Sequence, residues 1–129
     1  FVERVNEITG GKKCDVVYDS IGKDTFPASL DCLKPLGLFV TFGNASGPID
    51  AFNAGILAAK GSLYMTRPTL NTYTATRADL VATAKDLFDV VGSGAVKINV
   101  NQKYALKDAA QAHKDLEGRK TTGSIILLP

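Results

Sequence analysis

Much of what usually announces an activity is missing from this sequence. Among 129 residues there are one histidine and two cysteines. Cys14 and Cys32 form no C-x-x-C pair and have no histidine at metal-ligand spacing, so neither a dithiol redox motif nor a zinc signature is present, and no metal site is expected. They read as reduced structural thiols of an intracellular protein. Ser20, Ser46 and Ser124 have no G-x-S-x-G setting and no paired base, which argues against nucleophilic catalysis. No apolar run approaches the roughly 20 residues that span a bilayer. The amino end, Phe1-Val2-Glu3-Arg4-Val5, lacks the basic-then-apolar order of a signal peptide. A cytoplasmic chain without a membrane role is therefore expected. Acidic and basic residues are interspersed around a net charge of +2, so no basic stripe suggests nucleic acid. Repeats and low-complexity tracts are absent, and so is any glycine-rich phosphate-binding fingerprint.

What remains is ordinary globular composition, 45% hydrophobic and 22% charged, with a readable order of elements. Val2, Val5 and Ile8 recur at helical spacing before Gly10-Gly11, as in the last turns of a helix. Cys14 to Tyr18 is a short β-branched strand closed by the turn Asp19-Ser20-Ile21-Gly22. Thr25-Phe26-Pro27 opens a second helix, with Phe26, Leu30 and Leu33 on one face and Pro35 and Gly37 at its end. Leu36 to Phe42 is almost continuously apolar, the pattern of a strand covered on both faces. A helical turn is expected within 53–59, a third strand over Ser62–Thr66, and an amphipathic helix from the cap Thr76 to Gly92 or Gly94, with Leu80, Val81, Ala84, Leu87, Phe88 and Val91 as its stripe. A short strand at 96–100, a helix over 108–117 and a strand over 124–128 follow. Strands alternating with helices predict an α/β fold with a parallel sheet. The order starts on a helix tail and the first residue is Phe, so the chain is expected to be the back half of a nucleotide-binding α/β unit.

In open parallel sheets ligands gather at the carboxyl ends of the strands. Three loops occupy that edge, 19–22, 42–47 and 66–71, each with glycine or small polar residues that let a ligand approach; plain turns are an equal alternative. Asp19 can orient a ligand hydroxyl or close its own turn by accepting backbone N–H groups, and both readings stand. His113, alone within a helix, reads as a surface or packed histidine. Arg119, just past a glycine helix stop, reads as a surface cation before any family is considered.

Several separated motifs, in order, carry a resemblance: Val5-Asn6-Glu7-Ile8-Thr9-Gly10-Gly11-Lys12, Tyr18-Asp19-Ser20-Ile21-Gly22, Phe42-Gly43-Asn44-Ala45-Ser46-Gly47, Lys60 to Pro68, and Ala112-His113 to Arg119 with Gly123. Across the whole chain they resemble the zinc-free, zeta-crystallin-like NADPH:quinone oxidoreductases of the medium-chain dehydrogenase/reductase superfamily. The resemblance implies the second half of a doubly wound Rossmann sheet over residues 1–94. It also implies a segment over 95–129 that returns to a GroES-like catalytic domain encoded upstream. The implied cofactor is NADPH, with Ser20, Ile21 and Gly22 on its adenosine side, Phe42, Gly43, Asn44 and Ser46 towards the nicotinamide ribose, Thr69 and Leu70 at the carboxamide, and Arg119 reaching in from the tail. It implies a quinone substrate and a homodimer through the Ser62–Thr66 strand, and it assigns no catalytic side chain. An enoyl-thioester or enone reductase of the same superfamily, and a non-catalytic crystallin-like or RNA-binding role, are the alternatives.

Overall fold

The computed structural model describes residues 1–129, which form two compact units, Phe1–Tyr73 and Thr74–Pro129. The first unit runs α1 (Val2–Thr9), β1 (Cys14–Asp19), α2 (Phe26–Asp31), β2 (Leu33–Thr41), α3 (Gly55–Ala59), β3 (Tyr64–Thr66) and α4 (Leu70–Tyr73). Its three strands form a parallel sheet in the order β1-β2-β3. The α/β class and parallel strands expected from the sequence are therefore present. The helix tail ends as expected too: Gly10, at φ +58°, caps α1, and the Gly10 and Gly11 N–H groups donate to Glu7 and Asn6 carbonyls.

β1-α2-β2 and β2-α3-β3 step across the sheet in the same direction. Because such crossovers are right-handed, both helices fall on one face. Val17, Phe39 and Met65 lie in register on that face. They pack with Phe26 and Leu30 of α2, Ile56 and Leu57 of α3, and Leu33 and Leu63. Phe39 is fully buried. On the other face Val16, Tyr18 and Tyr64 are exposed, Tyr18 by 72%. The expected two-sided burial is thus confined to the middle strand, where Phe39, Val40 and Thr41 are all buried. Cover for the remainder of that face requires crossovers winding the opposite way, and residues 1–73 contain none.

Boundaries around α2 differ from the sequence pattern. The helix stops at Asp31 and β2 begins at Leu33, passing through Pro35 and Gly37 instead of starting after them. The register explains how: Cys14 pairs with Leu33, yet Val16 pairs with Leu38, so extra residues bulge out of β2 between them. Pro35 is accommodated in that bulge, where its missing N–H costs no ladder bond. Leu36, at φ +63°, donates its N–H to the Gly61 carbonyl at 2.8 Å. The third strand is shorter than expected, Tyr64–Thr66, because the chain turns at Ser62 (φ +54°).

The second unit consists of α5 (Arg77–Gly92), β4 (Val100–Ala105), a 3₁₀ turn at Leu106–Asp108, α6 (Ala109–Glu117) and β5 (Ser124–Leu128). Thr76 caps α5 as the sequence predicts, its Oγ1 accepting the Asp79 N–H at 3.1 Å. The strand expected at 96–100 instead begins at Val100 and pairs in parallel with β5. Its Val-Asn-Gln-Lys-Tyr-Ala sequence lacks an apolar period, and only Gln102 and Tyr104 turn inward, half-buried. Tyr104 donates its hydroxyl to Asp115 of α6 at 3.0 Å, tying strand to helix. No helix is long and apolar enough to cross a membrane.

Candidate functional site

The three strands of the first unit end side by side, with Asp19 in register with Thr41 and Val40 with Thr66. Each end opens into one of the loops singled out in the sequence. Asp19, 5% exposed, organises the first of them. Its Oδ1 accepts the N–H groups of Ile21 (2.8 Å) and Gly22 (3.0 Å), and its Oδ2 accepts the hydroxyls of Thr25 and Ser29, both at 2.7 Å. Burial alone raises a carboxyl pKa, but the donors from Gly22, Ser29, Thr25 and Ile21 outweigh it and hold Asp19 below the ordinary carboxylate range. Of the two readings of Asp19, the structure takes the turn-forming one. Every one of its contacts lies within the chain's own loop and helix.

The second loop is laced to the first through the backbone. The N–H groups of Ala45 and Ser46 donate to the carbonyls of Ser20 (3.2 Å) and Ile21 (2.8 Å), and Lys23 N–H donates to Gly47 O at 3.1 Å. Ser46 completes the seam: its hydroxyl donates to Ile21 O at 2.9 Å and accepts the Asp24 N–H at 3.0 Å. The loops approach so closely that a Cβ on Gly43 would stand 2.3 Å from the Ser20 carbonyl oxygen, and one on Gly22, at φ +92°, 2.5 Å from that of Gly47. Glycine is required at both positions by contact with a loop some twenty residues away. The structure therefore brings Ser20, Ile21, Gly22, Phe42, Gly43, Asn44 and Ser46 together. The side chains of Ser20, Ile21, Phe42 and Asn44 are exposed on the rim, over the buried anchors Asp19 and Thr41.

Beyond β3, Thr69 opens the short helix α4, its carbonyl accepting the Thr72 N–H at 3.1 Å, and Leu70 is exposed. Both stand on the same sheet edge. Arg119 belongs to the second unit, exposed at φ +55°, with its N–H donating to Leu116 O. In that unit an apolar hollow of about 180 Å³ is lined by Ala112, His113, Leu116, Ile125 and Leu127; His113 is exposed on α6.

Sequence reasoning missed Arg67. Directly after β3, its Nη1 donates to Thr41 Oγ1 at 3.2 Å and to the Gly43 carbonyl at 3.1 Å. It lines a cavity of about 260 Å³ with Thr41, Asn44, Pro48, Ile49 and Met65. An arginine just past the last strand of a parallel sheet was the available signal, since cations at that edge face the ligand side. No group of three or more His, Cys, Asp or Glu side chains is arranged to hold a metal ion. The edge instead offers close-set backbone, small residues and one guanidinium, which suits an extended ligand lying across loop backbone.

The family described as zinc-binding dehydrogenase matches residues 1–127. A quinone oxidoreductase of Salmonella typhimurium is 59% identical over 130 residues, covering 99% of this chain and 40% of its own length. The 2-haloacrylate reductase of a Burkholderia species is 49% identical, covering all of this chain and 39% of its own. Among solved structures, Escherichia coli quinone oxidoreductase complexed with NADPH superposes with a TM-score of 0.94 at 55% identity, covering 99% of this chain and 40% of that one. The chain thus spans about two-fifths of the length of the relatives it matches.

Proposed function

The chain belongs to the zinc-binding dehydrogenase family, and from that premise we propose that it is the cofactor-binding portion of an NADPH-dependent quinone oxidoreductase. The observation that carries the reading is the laced pair of loops, 20–22 and 42–47, at the carboxyl edge of the parallel sheet. It is supported by the likeness to a quinone oxidoreductase solved with NADPH. Residues 1–94 are the second half of the Rossmann domain, and 95–129 return to the catalytic domain. The zinc in the family's description has no fitting donor set here: no three His, Cys, Asp or Glu side chains are arranged to hold a metal ion. No step is assigned to a metal.

When bound, NADPH supplies the hydride that reduces the quinone. The chain's own part is to bind and orient. Ser20, Ile21 and the Gly22 backbone receive the adenosine side. Phe42, Gly43, Asn44 and Ser46 lie along the nicotinamide ribose, and Thr69 and Leu70 meet the carboxamide. The Gly22 and Gly43 contacts keep the platform flat, because any Cβ there forces the loops apart. No side-chain nucleophile is needed for this chemistry. The enzyme pairs with a second copy through β3 and its lead-in, Ser62–Thr66. That strand is an edge of its sheet, and Tyr64-Met65-Thr66 carries none of the Lys, Pro or bulge that normally blunts an edge.

A second substrate class has its own support, since the 49% identical relative is a 2-haloacrylate reductase. Following the loss of NADPH absorbance with the full-length gene product, p-benzoquinone and 2-chloroacrylate in parallel, separates the two. Turnover with the quinone alone supports the first reading, turnover with the acrylate alone replaces it with reduction of the C=C bond of an α,β-unsaturated acid, and no oxidation of NADPH with either removes both.

A further inference from the structure

The loop at 42–47 is held from one side by the Asp19 turn, yet on its other side lies the cavity of about 260 Å³, several times the roughly 30 Å³ share of a water molecule. Side-chain packing therefore does not fix the loop from that direction. What spans the gap is Arg67: Nη1 reaches both the Thr41 hydroxyl, at the buried end of β2, and the Gly43 carbonyl inside the loop. Arg67 forms no ion pair with any carboxylate of the chain. Its guanidinium is committed to backbone and hydroxyl acceptors instead of charge neutralisation.

We infer that Arg67 is a positioning residue, a strut from β3 that sets the height of Gly43 to Ser46 against the neighbouring loop and so sets how tightly the cofactor is held. The inference rests on the reading of this edge as the NADPH platform, and it adds a residue outside those the resemblance implies. It acts through the loop: without the strut, Gly43 and Asn44 settle towards the cavity and the seam to Ser20 and Ile21 loosens. Bound cofactor can pull the loop back, so the loss falls on affinity and much less on turnover.

Two measurements test it. In the ligand-free protein, amide hydrogen exchange is read at Ala45 and Ser46, whose N–H groups form the seam, with Val17 and Phe39 in the sheet as internal controls. Arg67→Gln is expected to speed exchange at Ala45 and Ser46 about tenfold, the scale of one lost hydrogen bond to a charged group, and to leave the controls alone. Thr41→Val gives a smaller increase and adds nothing on top of Arg67→Gln, as for two changes that break one strut. Arg67→Lys keeps the charge but not the reach of the guanidinium and recovers little. In the full-length gene product, KM for NADPH rises about tenfold in Arg67→Gln, with a much smaller change in kcat. Unchanged exchange at Ala45 and Ser46 overturns the strut. Faster exchange with an unchanged KM, or full recovery by Arg67→Lys, overturns the role in cofactor affinity. If the unsubstituted protein oxidises no NADPH, the cofactor reading fails by itself, and the exchange result still decides whether Arg67 holds the loop.

Discussion

The two units are built from the same kinds of element, parallel strands and amphipathic helices, but differ in what they bury. In Phe1–Tyr73 two helices share one face of a three-stranded sheet and enclose Phe26, Leu30, Leu33, Phe39 and Leu63. In Thr74–Pro129 the sheet has two strands, Ala112 is the buried hydrophobic residue, and no residue of α5 is buried. The stripe Leu80, Leu87 and Phe88 is amphipathic as the sequence predicts and yet exposed, Phe88 by 71%. Within these 129 residues, about two-fifths of the length of the relatives matched, a two-stranded sheet offers too little face to bury such a stripe. Well-formed secondary structure and a core are therefore separate achievements, and here the candidate site stands on the unit that has both.

That contrast can be broken by substitution. The largest expected effect is Phe39→Ala, which removes the centre of the first core and costs about 3–5 kcal/mol in urea unfolding. A cost under about 1 kcal/mol would mean that this core is not what holds the unit together. Gly43→Ala comes next. The new methyl meets the Ser20 carbonyl, and overpacking of that kind costs about 1–3 kcal/mol, with weakened NADPH binding by titration of the full-length gene product. Equal affinity would remove the loop contact from the platform.

Asp19→Asn sharpens the comparison by pH. The Asp19 carboxyl is held below its unfolded value of about 3.9, so its ionised form stabilises the fold above that pH, and this contribution is lost as pH falls through the lowered folded value. The variant keeps the shape and the two backbone N–H bonds to Oδ1, but the amide nitrogen in place of Oδ2 cannot accept the Thr25 and Ser29 hydroxyls, and about 1–2 kcal/mol is lost at neutral pH. The gap to the parent narrows below about pH 4; a constant gap across the acid range would show that the charge is not involved. In the 129-residue chain the smallest effect is expected at Phe88→Ser, within about 0.5 kcal/mol because the ring is 71% exposed there. A loss above about 2 kcal/mol would show that the α5 stripe is covered in solution, and the contrast between the units would go with it.

Local signals carried the element order well, because they act over a few residues. Gly10 ends α1 through a left-handed cap, Thr76 starts α5 through its hydroxyl, and Gly118 follows α6. Where a boundary depends on the neighbouring strand, the pattern misled. Pro35 and Gly37 look like breakers but lie in a bulge of β2, and the polar strand β4 exists because β5 pairs with it. The candidate site divides the same way. Seven of its expected residues lie in two loops whose glycines were visible in the sequence, whereas Arg67 became visible only when β3 was set beside β2.

The sequence by itself determined the class, the order of strands and helices, and the loops at the carboxyl edge, since hydrophobic period, caps and turn residues are written within about ten residues of one another. Only the tertiary structure decided that Gly43 must lack a side chain because of Ser20, and that Arg67 spans a cavity to reach Gly43. Those are contacts between segments brought together by sheet register and crossover handedness, and no local pattern of residues encodes which backbone will lie opposite which.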